Sequence, residues 1–179
     1  MQDLRMIVIL VEGHPNHDWI VKAVIKRLRE ELGKLRVELN EEKSRLVDLR
    51  KGESFGFLGF EFRRVRSKKG SWRPRYTPKM KNRTAFTEKL RDIRRFQSQP
   101  VRRVVELINP ILRGWVNYFA VGNSSQCFSF IQDWVEKKIR RHMMRARKRK
   151  GFGWKRWSKQ WLYSVLGLFN GFRVCYFES

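Results

Sequence analysis

Hydrophobic and polar positions along the chain follow two different rhythms, one before and one after about residue 78. Residues 6–11, MIVILV, are six apolar and mostly β-branched positions in a row. Such a run reads as a buried central strand. Behind it, HPNHDWIVKAVIKRLREELG places Val21, Val24, Ile25, Leu28 and Leu32 at helical spacing. Asn16 suits the N-cap of that helix, Asp18 its first turn and Gly33 the C′ position. His14 and His17 flank a turn without further metal-ligating neighbours and read as capping or surface residues. Three short strands are then expected: RVELN (36–40), SRLVDL (44–49) and SFGFLGFEF (54–62), the last two separated by the turn KGES. Two glycines inside SFGFLGFEF point to a sharply bent hairpin or a bulge. RRVRSKKGSWRPRY (63–76) reads as a further, basic hairpin turning near KKGS.

From Pro78 onward the period becomes helical. Phe86, Leu90 and Ile93 form one stripe. Val101, Val104, Val105, Ile108, Ile111, Leu112, Trp115 and Phe119 form a second, which Pro110 is expected to kink or split, since it lacks an N–H and clashes with the preceding turn. Ser124 or Ser125 is expected to cap a third helix. Its inner face would be Phe128, Ile131, Val135 and Ile139 with Trp134 alongside, and its outer face Lys137, Lys138, Arg140 and Arg141. RHMMRARKRKGFGWKRW (141–157) continues as a cationic arm. Trp157, Trp161, Leu162 and Val165 then recur at helical spacing on a segment expected to dock back on the bundle. The fold class is therefore α+β: a small antiparallel sheet with one helix, followed by an all-α basic bundle. Residues 1–62, 63–77 and 78–179 are the expected divisions.

Charge sharpens this division. The chain of 179 residues carries 41 Lys and Arg against 17 Asp and Glu, a net +24. Residues 1–62 hold 11 of each sign, so the whole excess lies in residues 63–179, with 30 basic and 6 acidic residues. A module that basic repels itself unless a polyanion neutralises it. Six of the seven tryptophans (Trp72, Trp115, Trp134, Trp154, Trp157, Trp161) share that part. Cations interleaved with flat rings suit single-stranded or structured RNA, although roughly half of these rings are expected to be core. An anionic membrane is disfavoured because no single amphipathic basic helix dominates, and no run is long enough to span a bilayer. Cys127 and Cys175 form no CxxC pair, so neither a disulfide frame nor a zinc site is expected. A cytoplasmic location is expected.

Three stretches together resemble the group II intron reverse transcriptase and maturase family. LNEEKSRLVDLRKGESFGFLGFEF (39–62) looks like the end of the family's polymerase palm. INPILRGWVNYF (108–119) with FSFIQDWVEKKIRRHM, and the later KGFGWKRWSKQWLY, look like its maturase-specific domain, also called thumb or X domain. The resemblance implies that Lys43 matches the palm lysine proposed to donate a proton to leaving pyrophosphate, a role a mobile ammonium suits. It implies that Phe57, Leu58, Gly59 and Phe60 match the primer grip. Arg113, Gly114, Trp115, Asn117, Tyr118 and Phe119 would form the maturase motif. Intron RNA or an RNA–DNA duplex would be gripped by Arg63, Arg64, Arg66, Lys68, Lys69, Arg73 and Arg75, by Arg94, Arg95 and Arg113, by Lys137, Lys138, Arg140, Arg141 and Arg145, and by Arg147, Lys148, Arg149, Lys150, Lys155 and Arg156.

The departure from the family pattern lies at the first strand. There the family carries a tyrosine-any-aspartate-aspartate turn whose carboxylates bind two Mg2+ ions. The same register here reads Asp3, Leu4, Arg5 and Met6. A cation and a thioether replace the aspartate pair, so the chain alone is expected to need no cofactor and to lack polymerase activity. It reads as an N-terminally truncated remnant: palm end, basic hairpin, then maturase domain. The expected function is RNA binding with assistance to splicing. Reverse transcription completed in trans by a separately encoded fingers–palm fragment, and a decayed gene product, stand as the alternatives.

Overall fold

The computed structural model of the protein describes residues 6–14, 18–91 and 99–175. It is α+β, with five helices and one three-stranded antiparallel sheet among the described residues. Two compact units divide between Pro74 and Arg75. Asn16, His17, Ile93, Arg94 and Arg95 lie outside the described residues.

In the first unit, helix α1 (Asp18–Lys34) covers one stripe while most of its surface faces water. It does not stop at Gly33. Val37 N donates to Leu32 O at 3.0 Å and Arg36 N to Gly33 O at 3.0 Å, with Arg36 at φ 55. These two bonds make a Schellman closure whose left-handed residue is Arg36, three positions beyond the expected glycine. Residues 6–11 are not a strand: Met6 is 52% and Leu10 77% exposed. An extended apolar run becomes a strand only beside a ladder partner, and the sheet ends at β1 without it. RVELN and SRLVDL are not strands either. Local turn chemistry takes that segment instead, as Asn40 Oδ1 accepts from Lys43 N at 3.1 Å and its carbonyl from Ser44 Oγ at 2.7 Å. Asp48 then caps a 3₁₀ turn (Leu49–Lys51) by accepting from Arg50 N at 2.9 Å, and Gly52 closes it at φ 81. The hydrogen bonds from the Arg50 side chain and backbone hold the Asp48 carboxyl below its usual range.

Strands β1 (Ser54–Phe57) and β2 (Phe60–Arg66) form the bent hairpin that the paired glycines suggested. Phe57 pairs with Phe60 across a two-residue turn in which Leu58 and Gly59 both have positive φ, 44 and 80. This is the turn geometry that matches strand twist. Phe55 stacks on Phe62 with ring centroids 5.1 Å apart, so the phenylalanines form a cross-strand cluster rather than an alternating row. The second hairpin, from β2 to β3 (Trp72–Pro78), turns at Ser67–Ser71, where Ser67 N donates to Ser71 O at 2.7 Å and Gly70 takes φ 83.

The second unit begins inside β3. Tyr76 is held on both backbone groups by Asn123: Asn123 N donates to Tyr76 O at 2.9 Å, and Tyr76 N donates to Asn123 Oδ1 at 3.2 Å. Gly122 is required beside it, because a Cβ there would lie 2.2 Å from the Tyr76 ring. Helices α2 (Met80–Arg91), α3 (Val101–Tyr118), α4 (Ser125–Ala146) and α5 (Lys159–Ser164) follow. Phe86, Leu90, Val104, Ile108, Leu112, Ile131, Val135, Ile139 and Leu162 form one core. Pro110 neither splits α3 nor ends it. The proline and Glu106, whose carbonyl loses its helical donor, both lie on the exposed side, where that oxygen is open to solvent.

Residues 158–175 return to the bundle as expected. Ser158 caps α5, its hydroxyl accepting from Trp161 N at 3.1 Å, and Leu162 is completely buried, whereas Val165 faces solvent. Asn109, on α3, fastens the segment that follows. Its amide nitrogen donates to Gly167 O at 2.8 Å, and its amide oxygen accepts from Phe169 N at 2.9 Å. Replacing it leaves two backbone groups without partners. Asn109→Ala is therefore expected to lower the stability of this unit by about 1–3 kcal/mol, read as a lower urea midpoint at unchanged slope.

Candidate nucleic-acid interface

To bury Phe128, Ile131, Val135, Ile139 and Met143, helix α4 must also turn inward the residues that follow two of them, Glu136 and Arg140. Arg140 was expected on the outer cationic face. Its side chain is instead 1% exposed, as is that of Glu136. The two pair at 3.0 Å, and Arg140 Nε donates to Trp157 O at 2.9 Å. The Trp154 ring lies 4.3 Å from the guanidinium carbon. Tyr163 donates its hydroxyl to the other Glu136 oxygen at 2.5 Å while accepting from Gln132 Nε2 at 2.8 Å. Lys159 reaches Glu136 at 3.6 Å from the surface. Burial, reinforced by the hydrogen bond to Glu136, pushes the Tyr163 phenol well above its ordinary range. A charge so enclosed is closed to phosphates, so Arg140 works inside the fold and not on its exterior.

The opposite face of α4 is the open one. Lys137, Arg141 and Arg145 are exposed at four-residue intervals, and Lys138, partly covered, lies 5.1 Å from the Trp134 ring. The helix ends in a second Schellman closure, with Arg149 N donating to Met144 O at 2.9 Å, Lys148 N to Arg145 O at 2.8 Å and Lys148 at φ 54. That reversal leaves Arg147, Lys148, Arg149 and Lys150 all exposed, with Lys155 and Arg156 beyond. Residues 137–156 contain 11 Lys and Arg and no Asp or Glu. Gly151 and Gly153 turn the chain at φ 94 and 66. A Cβ on Gly153 would fall 2.5 Å from the Trp157 ring, so the GFGW turn closes over that buried indole only as glycine.

In the first unit the hairpin carries exposed Arg63, Arg66, Lys68, Lys69 and Arg73, with Arg64 partly covered and its guanidinium 4.7 Å from the Trp72 ring. Strand alternation sends Arg64 and Arg66 to one face and Arg63 to the other. Lys43 is exposed in its turn, and Phe57, Leu58, Gly59 and Phe60 form the tip of the β1–β2 hairpin, Phe60 being buried. Arg75 is partly covered at the start of the second unit. The residues of LRGWVNYF divide. Trp115 stacks on Phe86 at 4.6 Å and packs on Phe119 at 4.7 Å, so both are core, while Arg113, Gly114, Asn117 and Tyr118 are exposed. Cys127 is half-buried, and burial raises its thiol above the usual range, with Arg83 opposing; Cys175 is exposed. Among the described residues no three His, Cys, Asp or Glu gather as a metal site, and no helix is long and apolar enough to cross a membrane.

Residues 83–162, running from α2 into α5, match the family model of the group II intron maturase-specific domain. The matched stretch lies wholly within the helical unit, which therefore carries a maturase-specific domain of the group II intron type. No curated protein matches the sequence.

Sequence reading missed Glu136, Gln132, Tyr163 and Asn109. The pattern did carry a trace of the first: Glu136 and Arg140 are four apart and each directly follows an apolar-stripe residue. Removing one member of this pair strands the other. Arg140→Met is expected to cost about 3–5 kcal/mol, whereas the double variant Glu136→Leu/Arg140→Met should recover most of that loss, as measured by chemical denaturation. The raised Tyr163 pKa also sets a pH dependence. Its stabilising contribution is complete below the unfolded value of about 10 and is lost as pH rises toward the higher folded value. Alkaline titration followed by tyrosine absorbance should reveal a phenol that ionises only at unusually high pH and that is missing in Tyr163→Phe.

Proposed function

We propose that the chain binds group II intron RNA through the outward face of α4 and the 147–156 arm and assists intron folding and splicing; the basic hairpin of the first unit is a separate cationic surface suited to the same ligand. The observation that carries this reading is the sorting of charge on α4: Arg140 is neutralised inside, while Lys137, Arg141 and Arg145 face water with no acidic residue from 137 to 156. The maturase-specific domain indicates maturase function in general, and the cationic surface supplies the physical means of holding a phosphate backbone. On this reading residues 39–62 correspond to the end of a polymerase palm, with Lys43 and the 57–60 tip at family positions, and RNA binding by the helical unit calls for no cofactor. Mg2+ would serve only a complete family enzyme. The working location would be the cytoplasm.

Phosphate-led binding is salt-dependent, with the logarithm of affinity falling by roughly 0.7 per neutralised phosphate on single strands per logarithmic step in salt. The variant Lys137→Gln/Arg141→Gln/Arg145→Gln should therefore bind intron RNA more weakly and lose about 2 from that slope. Its melting should be unchanged, since all three side chains are exposed. Filter binding across a salt series checks this; an unaltered slope would remove α4 from the interface.

A further inference from the structure

Phosphate contacts hold RNA without regard to its bases, yet two aromatic rings stand in the middle of the densest basic stretch with surface to spare. Residues 145–156 include seven Lys and Arg. Within them the GFGW turn sets Phe152 and Trp154 outward while Trp157 goes into the core. Trp154 is 47% exposed, although its other face covers the Arg140 guanidinium. Phe152 lies 6.0 Å from Trp154 at an interplanar angle of 36°, with Arg141 5.3 Å from its ring. A core-filling role accounts for Trp157 but leaves half of the Trp154 indole in water.

Three properties favour a base as the ligand of this surface. The ring is fixed in place: Arg140, which lies against it, is tied to Glu136 and to the Trp157 carbonyl. A ring already held still loses little freedom when it stacks. Exposed cations flank it on both sides along the chain, Arg147 to Lys150 before it and Lys155 and Arg156 after it, so a nucleic-acid strand drawn in by its phosphates would bring bases to it. The turn is short and shaped by Gly151 and Gly153 at positive φ, so the two rings project from the backbone at a set spacing.

We propose that Trp154, flanked by Phe152, is a stacking platform for an unpaired base of single-stranded or looped RNA. The outer face of the indole takes the base, while Arg147, Lys148, Lys155 and Arg156 take neighbouring phosphates. This rests on the RNA-binding reading above and adds the contact that distinguishes a nucleic acid from other polyanions.

The test uses the full chain with two probes of equal length, a single-stranded oligouridylate and an abasic ribose-phosphate strand, each over a salt series. Trp154→Ala is expected to weaken oligouridylate binding by roughly 5- to 150-fold with the salt slope unchanged, and Trp154→Phe to retain most of the affinity. The wild-type chain should bind the abasic strand about as weakly as Trp154→Ala binds oligouridylate. Because Trp154→Ala also uncovers Arg140, Phe152→Ala serves as the second variant. It leaves the buried cation covered and should still weaken oligouridylate binding at unchanged melting temperature. Equal wild-type affinity for the two probes, or full affinity in both alanine variants, would overturn the platform while leaving phosphate binding intact. Failure of the wild-type chain to bind either probe would overturn the RNA-binding reading itself.

Discussion

The helical unit is organised around one buried ion pair. Glu136 and Arg140 are carried into the interior by the same helical turn that buries Val135 and Ile139, and charges in that position are tolerable only when their hydrogen-bonding capacity is met. Each unmet valence recruits a different part of the chain: the Trp157 carbonyl and Trp154 ring from the arm, the Tyr163 hydroxyl from α5, and Lys159 at its edge. The pair thus decides where the arm must fold back and where α5 must lie. Replacing it by apolar side chains would fill the space but would not specify those partners.

The same pair accounts for the arrangement of the surface. One arginine of a basic helix is spent internally, and the remaining cations are sorted to the other side, where they face solvent with no acidic residue among them. Self-repulsion on that face is a standing cost that a bound polyanion would relieve. The two Schellman closures, at Arg36 and Lys148, do similar work by different means. Each places a long cationic residue at a left-handed position where glycine would be cheaper, turning the chain sharply and keeping the charge exposed.

Much of this was legible in the residues. The shift from extended to helical rhythm, the bent Phe-Gly hairpin, the basic hairpin with its Ser67–Ser71 turn and the inward stripe of α4 all follow from periodicity and turn chemistry. The expected strand at residues 6–11 did not, because β-propensity describes a fit to a neighbouring ladder that no other described segment provides. RVELN and SRLVDL failed for a related reason, since Asn40 and Asp48 offered nearby donors a closer partner. Arg140 departs from the rule that charge faces outward because its position one residue beyond Ile139 puts it on the shoulder of the apolar stripe, where Glu136 neutralises it. Lys137, Arg141 and Arg145, further round the helix, did fall outward. Asn109 left no trace, as its partners at Gly167 and Phe169 are backbone groups nearly sixty residues away.

That distance has a consequence for how the domain comes into being. Asn109 closes on Gly167 and Phe169, and Ala120 receives a hydrogen bond from Cys175 N. During synthesis, α2, α3 and α4 emerge with their apolar stripes ready to meet, but the groups that lock them, at Gly167, Phe169 and Cys175, follow only well after α4 has ended at Ala146. The bundle would leave the ribosome as a loosely collapsed body, with Leu162 and Leu168 still to be supplied, and would reach its final packing only after residue 175. A highly cationic, half-closed intermediate emerging beside ribosomal RNA has an obvious alternative partner, so the speed of that last closure bears on how much of the protein becomes free to act elsewhere.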